Sequence, residues 1–521
     1  MLGHKTVLSG ALMVAARLLS RIIDLCALLI LARLLTPVDF GLVAIAMTMV
    51  TLLEAALELP LSQALVQLPY IEPHHFHTAF TISLLRGLVL FALCFSFAPA
   101  FAKWYGHTSL TPLVQALSLA PAIRGLQNPR LAEYAKALNF KYEFYLELAG
   151  KSLAFLSGSI AAYLTHSYWS IAICTIISPV STSLLGYIVI PYRPRLSLQD
   201  WRLFRDFLGW ISFSQIVSAL NFQSEQLLLG KLMPTKTFGL FTTASNITYI
   251  PIAALFGPVL RPLLSAFTQV RGEKIRLSDI YQRASSAVVT IGLPVLIGLA
   301  AIAQPLVWVL LGPQWAAATP LFRWLSISII PYLFGMLLTP LGMATGHSRE
   351  IARRNSVQLF VKLPLLIIGV VQYGFAGVIA ARLISETVTA LFCMASIRKL
   401  TGISIAAQFL VNLRAITSSL VMLTGILFLD HIFHFSSIFS SQLLRLSLLV
   451  SAGSVAYISC LALCWYLAGC PPGLEDIALR WLRRLFRQNQ ESYVATGGLR
   501  TVPNPASAPA ELNSLARQND H

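Results

Sequence analysis

The sequence predicts an all-α polytopic membrane protein, on three observations. Of its 521 residues, 56% are hydrophobic and only 11% are charged, whereas soluble domains carry about 25% charged residues. The apolar residues gather into about fourteen runs near the ~20 residues that cross a hydrocarbon core. None of the runs alternates with a period of two, and only helices pass so many segments through lipid without that signal.

Taken in order, the runs fall at roughly 8–33, 40–64, 78–102, 113–136, 146–165, 168–191, 207–230, 238–264, 285–310, 318–343, 355–372, 375–397, 411–430 and 443–468. Proline, glycine pairs or short polar loops separate them. The tightest hairpins are expected at Thr165-His166-Ser167 and Gln372-Tyr373-Gly374. The run after Lys5 is too long for a signal-peptide core and lacks a small-residue cleavage site, so it is expected to stay as the first span.

The formal net charge is +17. The basic residues cluster in connecting loops, which reports orientation rather than nucleic-acid binding. One set of loops carries Arg193, Arg195, Arg202, Arg205, the 265–283 stretch, Arg349, Arg353 and Arg354. The other carries little beyond Lys103, Lys231 and Lys236. Both termini are therefore expected on the cytoplasmic side of the inner membrane. The 265–283 stretch reads as a basic surface helix. After Cys470-Pro-Pro-Gly, a helix over 471–488 places apolar residues on one face and arginines on the other, which suits an anionic lipid surface. Residues 489–521 are polar and read as a disordered cytoplasmic tail.

The chain also repeats itself. TPLVQALSLAP at 111–121 parallels TPLFRWLSISIIP at 319–331, each after an aromatic–glycine element: Trp104-Tyr105-Gly106, and Leu311-Gly312 with Trp315. Phe40-Gly41-Leu42 recurs as Phe238-Gly239-Leu240. Both offsets are about 200 residues. Six spans repeated once give two six-helix lobes of like orientation, related by a pseudo-twofold axis along the membrane normal, with two extra C-terminal helices. The expected organisation is an N-lobe at 1–192, a basic linker at 193–206, a C-lobe at 207–398 and spans thirteen and fourteen at 411–468. Two such lobes leave a cavity between them, which is transporter architecture.

Charges at membrane depth mark the candidate site, because they must face something other than lipid. Arg17, Arg21 and Asp24 are spaced i, i+4, i+7 and share one face of the first helix. At ~1.5 Å per residue, Arg17 lies about 15 Å deep, Arg21 near the midplane and Asp24 beyond it. Glu54 and Glu58 on span two reach similar depths. Two readings stand. The arginines pair with Glu54 and Glu58 and hold two helices together, or they line a cationic cavity that receives a phosphate, which the arginine fork suits. Arg124, three residues after Pro121, and Glu225 on span seven complete the candidate set. Arg130 with Glu133, and Arg382 with Glu386, read as local pairs. Lys362 reads as a mid-span residue facing the interior of the second half. Arg261 reads as a snorkelling residue.

Other chemistry finds little support. The seven cysteines form no CxxC pair, so no metal or disulfide framework is expected. His74, His75 and His77 read as incidental residues of a polar loop. No Walker-type phosphate loop is present, and no loop is large enough for a catalytic domain, so neither an enzyme nor a cofactor is expected.

LARLLTPVDFGLVAIA after a charged first helix, LLGPQWAAATPLFRWLSIS at 310–328 and NFKYEF at 139–144 resemble bacterial polysaccharide exporters. These are Wzx-type flippases of the multidrug/oligosaccharidyl-lipid/polysaccharide exporter superfamily, nearest the colanic-acid exporter branch. The resemblance covers about residues 1–470. It implies fourteen spans, alternating access and an undecaprenyl-pyrophosphate-linked oligosaccharide as substrate. It also implies cationic cavity residues, here Arg17, Arg21 and Arg124, for the pyrophosphate, and a polysaccharide polymerase and chain-length proteins as partners. A drug/cation antiporter of the same superfamily, which favours acidic cavity residues, and a peptidoglycan-precursor flippase are the alternatives.

Overall fold

In the computed structural model, the residues described are 19–59, 61–68, 70–137, 139, 141–202, 219–221, 223–433, 438–470 and 475–476. They form helices and turns, with no strand among the described residues. By contact clustering the chain divides into one large unit, Met1–Cys464, and a second, Trp465–His521. The large unit holds everything discussed below. The second begins within the last residues of the helix Phe439–Leu467 and has Gly469 at positive φ. The tail and nearly all of the expected 471–488 helix lie outside the described residues.

Among the described residues, nine helices are long and apolar enough to cross a membrane. The difference from fourteen has identifiable sources. Much of the first and seventh runs lies outside the described residues. The fourth run is broken into Leu110–Leu117, Leu119–Arg124 and Leu131–Lys136. The fifth, Lys141–Thr165, is not among the nine, and the eleventh and twelfth run together as Ser348–Thr401; the tenth is among them as Pro313–Ala344, although it is broken into Thr319–Ser328, Ile330–Gly335 and Leu338–Ala344. Pro121 and Pro331 sit at these breaks, and a proline removes a helix donor and clashes with the preceding turn.

Local signals set the clean boundaries. Thr36 and Asp39 form a reciprocal capping box, with Thr36 N donating to Asp39 Oδ2 at 2.9 Å and Pro37 in the first turn of Pro37–Ala56. Gly106, at φ 80°, closes Pro73–Tyr105. Both tight hairpins form. Lys141–Thr165 and Trp169–Val189 are separated at His166. Ser348–Thr401 is two helices joined at Gly374, whose φ is 56° and ψ −128°. The arms of the second hairpin meet at Gly369 and Gly377, where a methyl on either residue would strike the other's backbone. Small residues permit that approach without leaving polar backbone in lipid.

Two expectations are corrected. The 265–283 stretch is not a separate surface helix. Thr235–Gln269 continues to its edge, and Lys274–Ala301 begins three residues after Arg271. The reason is that Leu277 and Tyr281 extend the buried face of the next span, at 2% and 1% exposure. Span two is also shorter than 40–64. The helix ends at Ala56, and Leu61–Gln67 is a separate short helix. Glu58 is therefore exposed in the break and not one turn beyond Glu54 on a shared helix.

The repeated motifs pack against each other. A methyl on Gly41 would run into the carbonyl oxygen of Thr235, and one on Gly239 into that of Pro37. Thr235 and Gly239 each lie 198 residues beyond Pro37 and Gly41, so the contact is reciprocal. The flanking bonds repeat the exchange. Arg33 donates to Val309 O, and Lys231 donates to Trp104 O. Trp315 Nε1 donates to Ala32 O at 2.7 Å, and Tyr105 Oη donates to Leu227 O at 2.9 Å. Trp315 is fully buried, edge-on to Phe40 with ring centroids 5.2 Å apart.

Candidate functional site

The charged residues at membrane depth collect around two cavities. The first, about 540 Å³, is lined by Asp24, Arg124, Glu143, Glu147, Lys151 and Thr182, among others. The second, about 310 Å³, is lined by residues from Asn221 to Glu386. Both volumes fall within the roughly 300–1,000 Å³ of small-molecule sites.

In the first cavity, Lys151 Nζ lies 2.7 Å from Asp24 Oδ2 and 3.6 Å from Glu147 Oε1. Ser20 Oγ donates to the same Glu147 oxygen at 2.7 Å. Arg21 reaches Asp24 from its own helix at 3.9 Å. Arg124 forms an ion pair with Glu54, while Arg86 donates to the Glu54 backbone carbonyl at 3.1 Å. Arg21 does not pair with Glu54, which is taken by Arg124 from the broken fourth run. That run breaks at Ser118, between Leu110–Leu117 and Leu119–Arg124. Arg17 lies outside the described residues.

The second cavity is built around Glu225, whose side chain is 9% exposed. Lys362 Nζ stands 2.7 Å from one carboxylate oxygen and Arg382 3.2 Å from the other. The expected Arg382–Glu386 pair is replaced by this arrangement. Glu386 instead accepts from Gln358 Nε2 at 2.9 Å, and Gln358 Oε1 accepts from Asn221 at 3.1 Å. Two cations share one buried carboxylate here, so the cluster of Glu225, Lys362 and Arg382 carries a net positive charge.

Of the seven residues singled out from the sequence, Asp24 and Arg124 line the first cavity and Glu225 lines the second. Glu54 is reached through Arg124 and Arg21 through Asp24, while Glu58 lies in the exposed break after Pro37–Ala56. Lys151 and Glu147 were missed. Their signal was available, since a lysine ten residues into an otherwise apolar helix four positions from a glutamate is a charge at membrane depth. The histidines are not incidental either. His77 Nδ1 is hydrogen-bonded to Tyr192 Oη at 2.8 Å, and His74 stands 3.5 Å from Asp200, tying the 190–200 segment to the start of Pro73–Tyr105. Burial pushes the Tyr192 phenol up to about 12, so it stays protonated in that bond.

A polytopic helical bundle that keeps paired charges around cavities of about 540 and 310 Å³ between apolar helices is an arrangement that suits membrane transport. A family model described as "Polysaccharide biosynthesis protein" matches residues 30–320, and the chain belongs to that family. Its long apolar helices make it a multi-pass membrane protein. It is 27% identical over 318 residues to the succinoglycan biosynthesis transport protein ExoT of Rhizobium meliloti (strain 1021), covering 59% of this chain and 64% of that one. It is 23% identical to the lipopolysaccharide biosynthesis protein WzxC of Escherichia coli (strain K12), covering 68% and 73%. The chain thus spans just under two thirds of the first relative's length. Among solved structures, it is similar to the lipid II flippase MurJ in an inward closed conformation, with TM-score 0.67, 17% identity and coverage of 87% and 98%. An inward-facing multidrug resistance MATE family transporter gives TM-score 0.60 at 17% identity, covering 74% and 96%. These two likenesses concern the fold. The matched range stops short of Arg354, Lys362, Arg382 and Glu386 and begins after Asp24, so the family match does not itself assign either cavity.

Proposed function

We infer that the protein translocates lipid-linked oligosaccharide repeat units across the inner membrane for surface polysaccharide synthesis, by alternating access. The observation that carries this reading is the first cavity, in which Arg124 and Lys151 pair, among the described residues, with carboxylates that a more highly charged oxyanion can replace. A pyrophosphate cannot cross hydrocarbon unaided, because its charges need partners. In this reading Arg17, Arg21, Arg124 and Lys151 receive it, while Asp24, Glu54 and Glu58 hold the cations when the site is empty. Glu225 belongs to the same pathway in the second half. Fourteen spans in two six-helix lobes, with both termini cytoplasmic, rock so that the reciprocal Gly41–Gly239 contact parts on the outer side. Polymerase and chain-length proteins take up the delivered unit. The drug-antiporter and peptidoglycan-precursor readings keep only a likeness of fold.

The test is a deletion strain scored for lipid-linked repeat units and surface polymer. The expected result is accumulation of the lipid-linked pool on the inner leaflet with loss of polymer, both reversed by the cloned gene. An unchanged pool together with unchanged polymer overturns the reading. In the same rescue assay, Arg21→Ala is expected to fail and Arg21→Lys to restore part of the polymer.

A further inference from the structure

The second cavity carries features that pyrophosphate binding does not use. Its wall is rich in groups that both donate and accept hydrogen bonds or offer an aromatic face: Asn221, Ser245, Asn246, Gln358, Tyr249 and Tyr332. Two polar atoms there are buried without a partner, Asn221 Oδ1 and Arg354 Nε. Asn221 is 8% exposed, and its amide nitrogen is already committed to Gln358 Oε1 and Asn355 O. Its carbonyl oxygen is the half that lacks a donor. Tyr249 is 47% exposed and leaves ring surface open to the cavity.

The charges in the wall do not cancel. Lys362, Arg382 and Arg354 face Glu225 and Glu386, which leaves one positive charge in excess. Lys362 and Arg382 are both spent on Glu225. Arg354 has no carboxylate partner among the described residues. Its guanidinium lies 5.8 Å from the centre of the Tyr332 ring and donates to Thr339 Oγ1 at 3.2 Å. The rest of its donor fork is available, and it stays charged at any working pH.

We propose that this cavity is a saccharide subsite for an acidic sugar residue of the transported unit, with Arg354 binding the sugar carboxylate. The amides and hydroxyls match ring hydroxyls in both hydrogen-bonding senses, and Tyr249 covers the apolar face of a pyranose. A cavity of about 310 Å³ limits the subsite to a short stretch of sugar. The inference rests on the transport reading, which supplies the sugar, but its test does not depend on transport.

The full-length protein in lipid nanodiscs is titrated by calorimetry with three probes. These are a hyaluronan tetrasaccharide, which carries glucuronate, chitotetraose, which is neutral and of equal length, and inorganic pyrophosphate. The acidic probe is expected to bind at least tenfold more tightly than the neutral one and to resist displacement by equimolar pyrophosphate. Arg354→Gln is expected to bring the acidic probe down to the neutral affinity, and Tyr249→Ala to weaken both sugars alike. Equal binding of the two sugars by the wild-type protein, or no binding of either, overturns the proposal without any variant having to fold. Displacement by pyrophosphate identifies a phosphate site and overturns it too. If deletion leaves the lipid-linked pool unchanged while the acidic probe still binds, the transport reading fails and the subsite stands. The reverse outcome removes the subsite alone.

Discussion

Glu225 pairs with two cations through one carboxylate at 9% exposure, so its removal strands both. Breaking a buried pair on one side costs about 3–5 kcal/mol. Glu225→Gln is therefore expected to lower the melting temperature by several degrees in detergent. Replacing all three groups by apolar residues (Glu225→Leu with Lys362→Leu and Arg382→Met) is expected to recover most of that loss without restoring polymer synthesis. A triple variant that melts as low as the single one removes the electrostatic explanation. Arg124 behaves differently, because its side chain and that of Glu54 are 40% and 21% exposed. A pair so wet is worth at most about 1 kcal/mol. Arg124→Ala is thus expected to melt near the wild type yet lose tenfold or more in polymer output, with Arg124→Lys in between. A normal output from the alanine variant assigns Arg124 to helix packing. That contrast also marks what the sequence could disclose at this scale. Charges inside apolar runs were legible as such, and five of the seven singled out take part in the two charged networks. Their partners were not legible. Arg124 reaches Glu54 only because its helix breaks after Ser118, and Arg382 turns from Glu386, four residues away, to Glu225, 157 residues away in the chain. Lys151 was passed over because its helix begins with polar loop residues and reads as weakly apolar.

At the level of elements, the contact of Pro37–Ala56 with Thr235–Gln269 is a place where backbone meets backbone. Gly41 and Gly239 leave no space for a side chain against Thr235 O and Pro37 O. A bulky residue at either glycine must separate the two helices, since neither carbonyl can move without breaking its own helix. Gly41→Leu and Gly239→Leu are each expected to abolish polymer rescue. Both should also make Trp315 more accessible to collisional quenchers, since Trp315 packs on Phe40 beside the contact. Unchanged quenching with full rescue shows that the helices part without consequence. The repeated Phe-Gly-Leu motif pointed to a duplication, and the reciprocal packing gives that pattern its physical reason. Hairpins at His166 and Gly374 were equally legible, because a turn that short requires a residue at positive φ or a glycine. Broken runs were not. A sum of hydropathy cannot distinguish a continuous span from three short helices that kink around Pro121 or Pro331.

For the whole molecule, the asymmetry of basic loops predicts which end faces outward, and the reciprocal contacts predict which end must open. Lys231 and Trp104 lie at the sparsely charged end, and Arg353 lies in the densely charged set. With the seven native cysteines replaced, Lys231→Cys is expected to react with a membrane-impermeant maleimide in intact cells, and Arg353→Cys only after permeabilisation. Opposite labelling inverts the topology. Lys231 donates to Trp104 O, and its ammonium lies 5.8 Å from the Trp104 ring centre. A short, reducible bis-thiosulfonate linker can therefore join cysteines at the two positions. If release on the outer side requires the two repeats to swing apart there as rigid bodies, linking Lys231→Cys to Trp104→Cys is expected to stop polymer export, and reduction to restore it. Export that continues at full rate through the linked protein means that this end stays closed throughout the cycle, and that the unit leaves by a sideways path between helices.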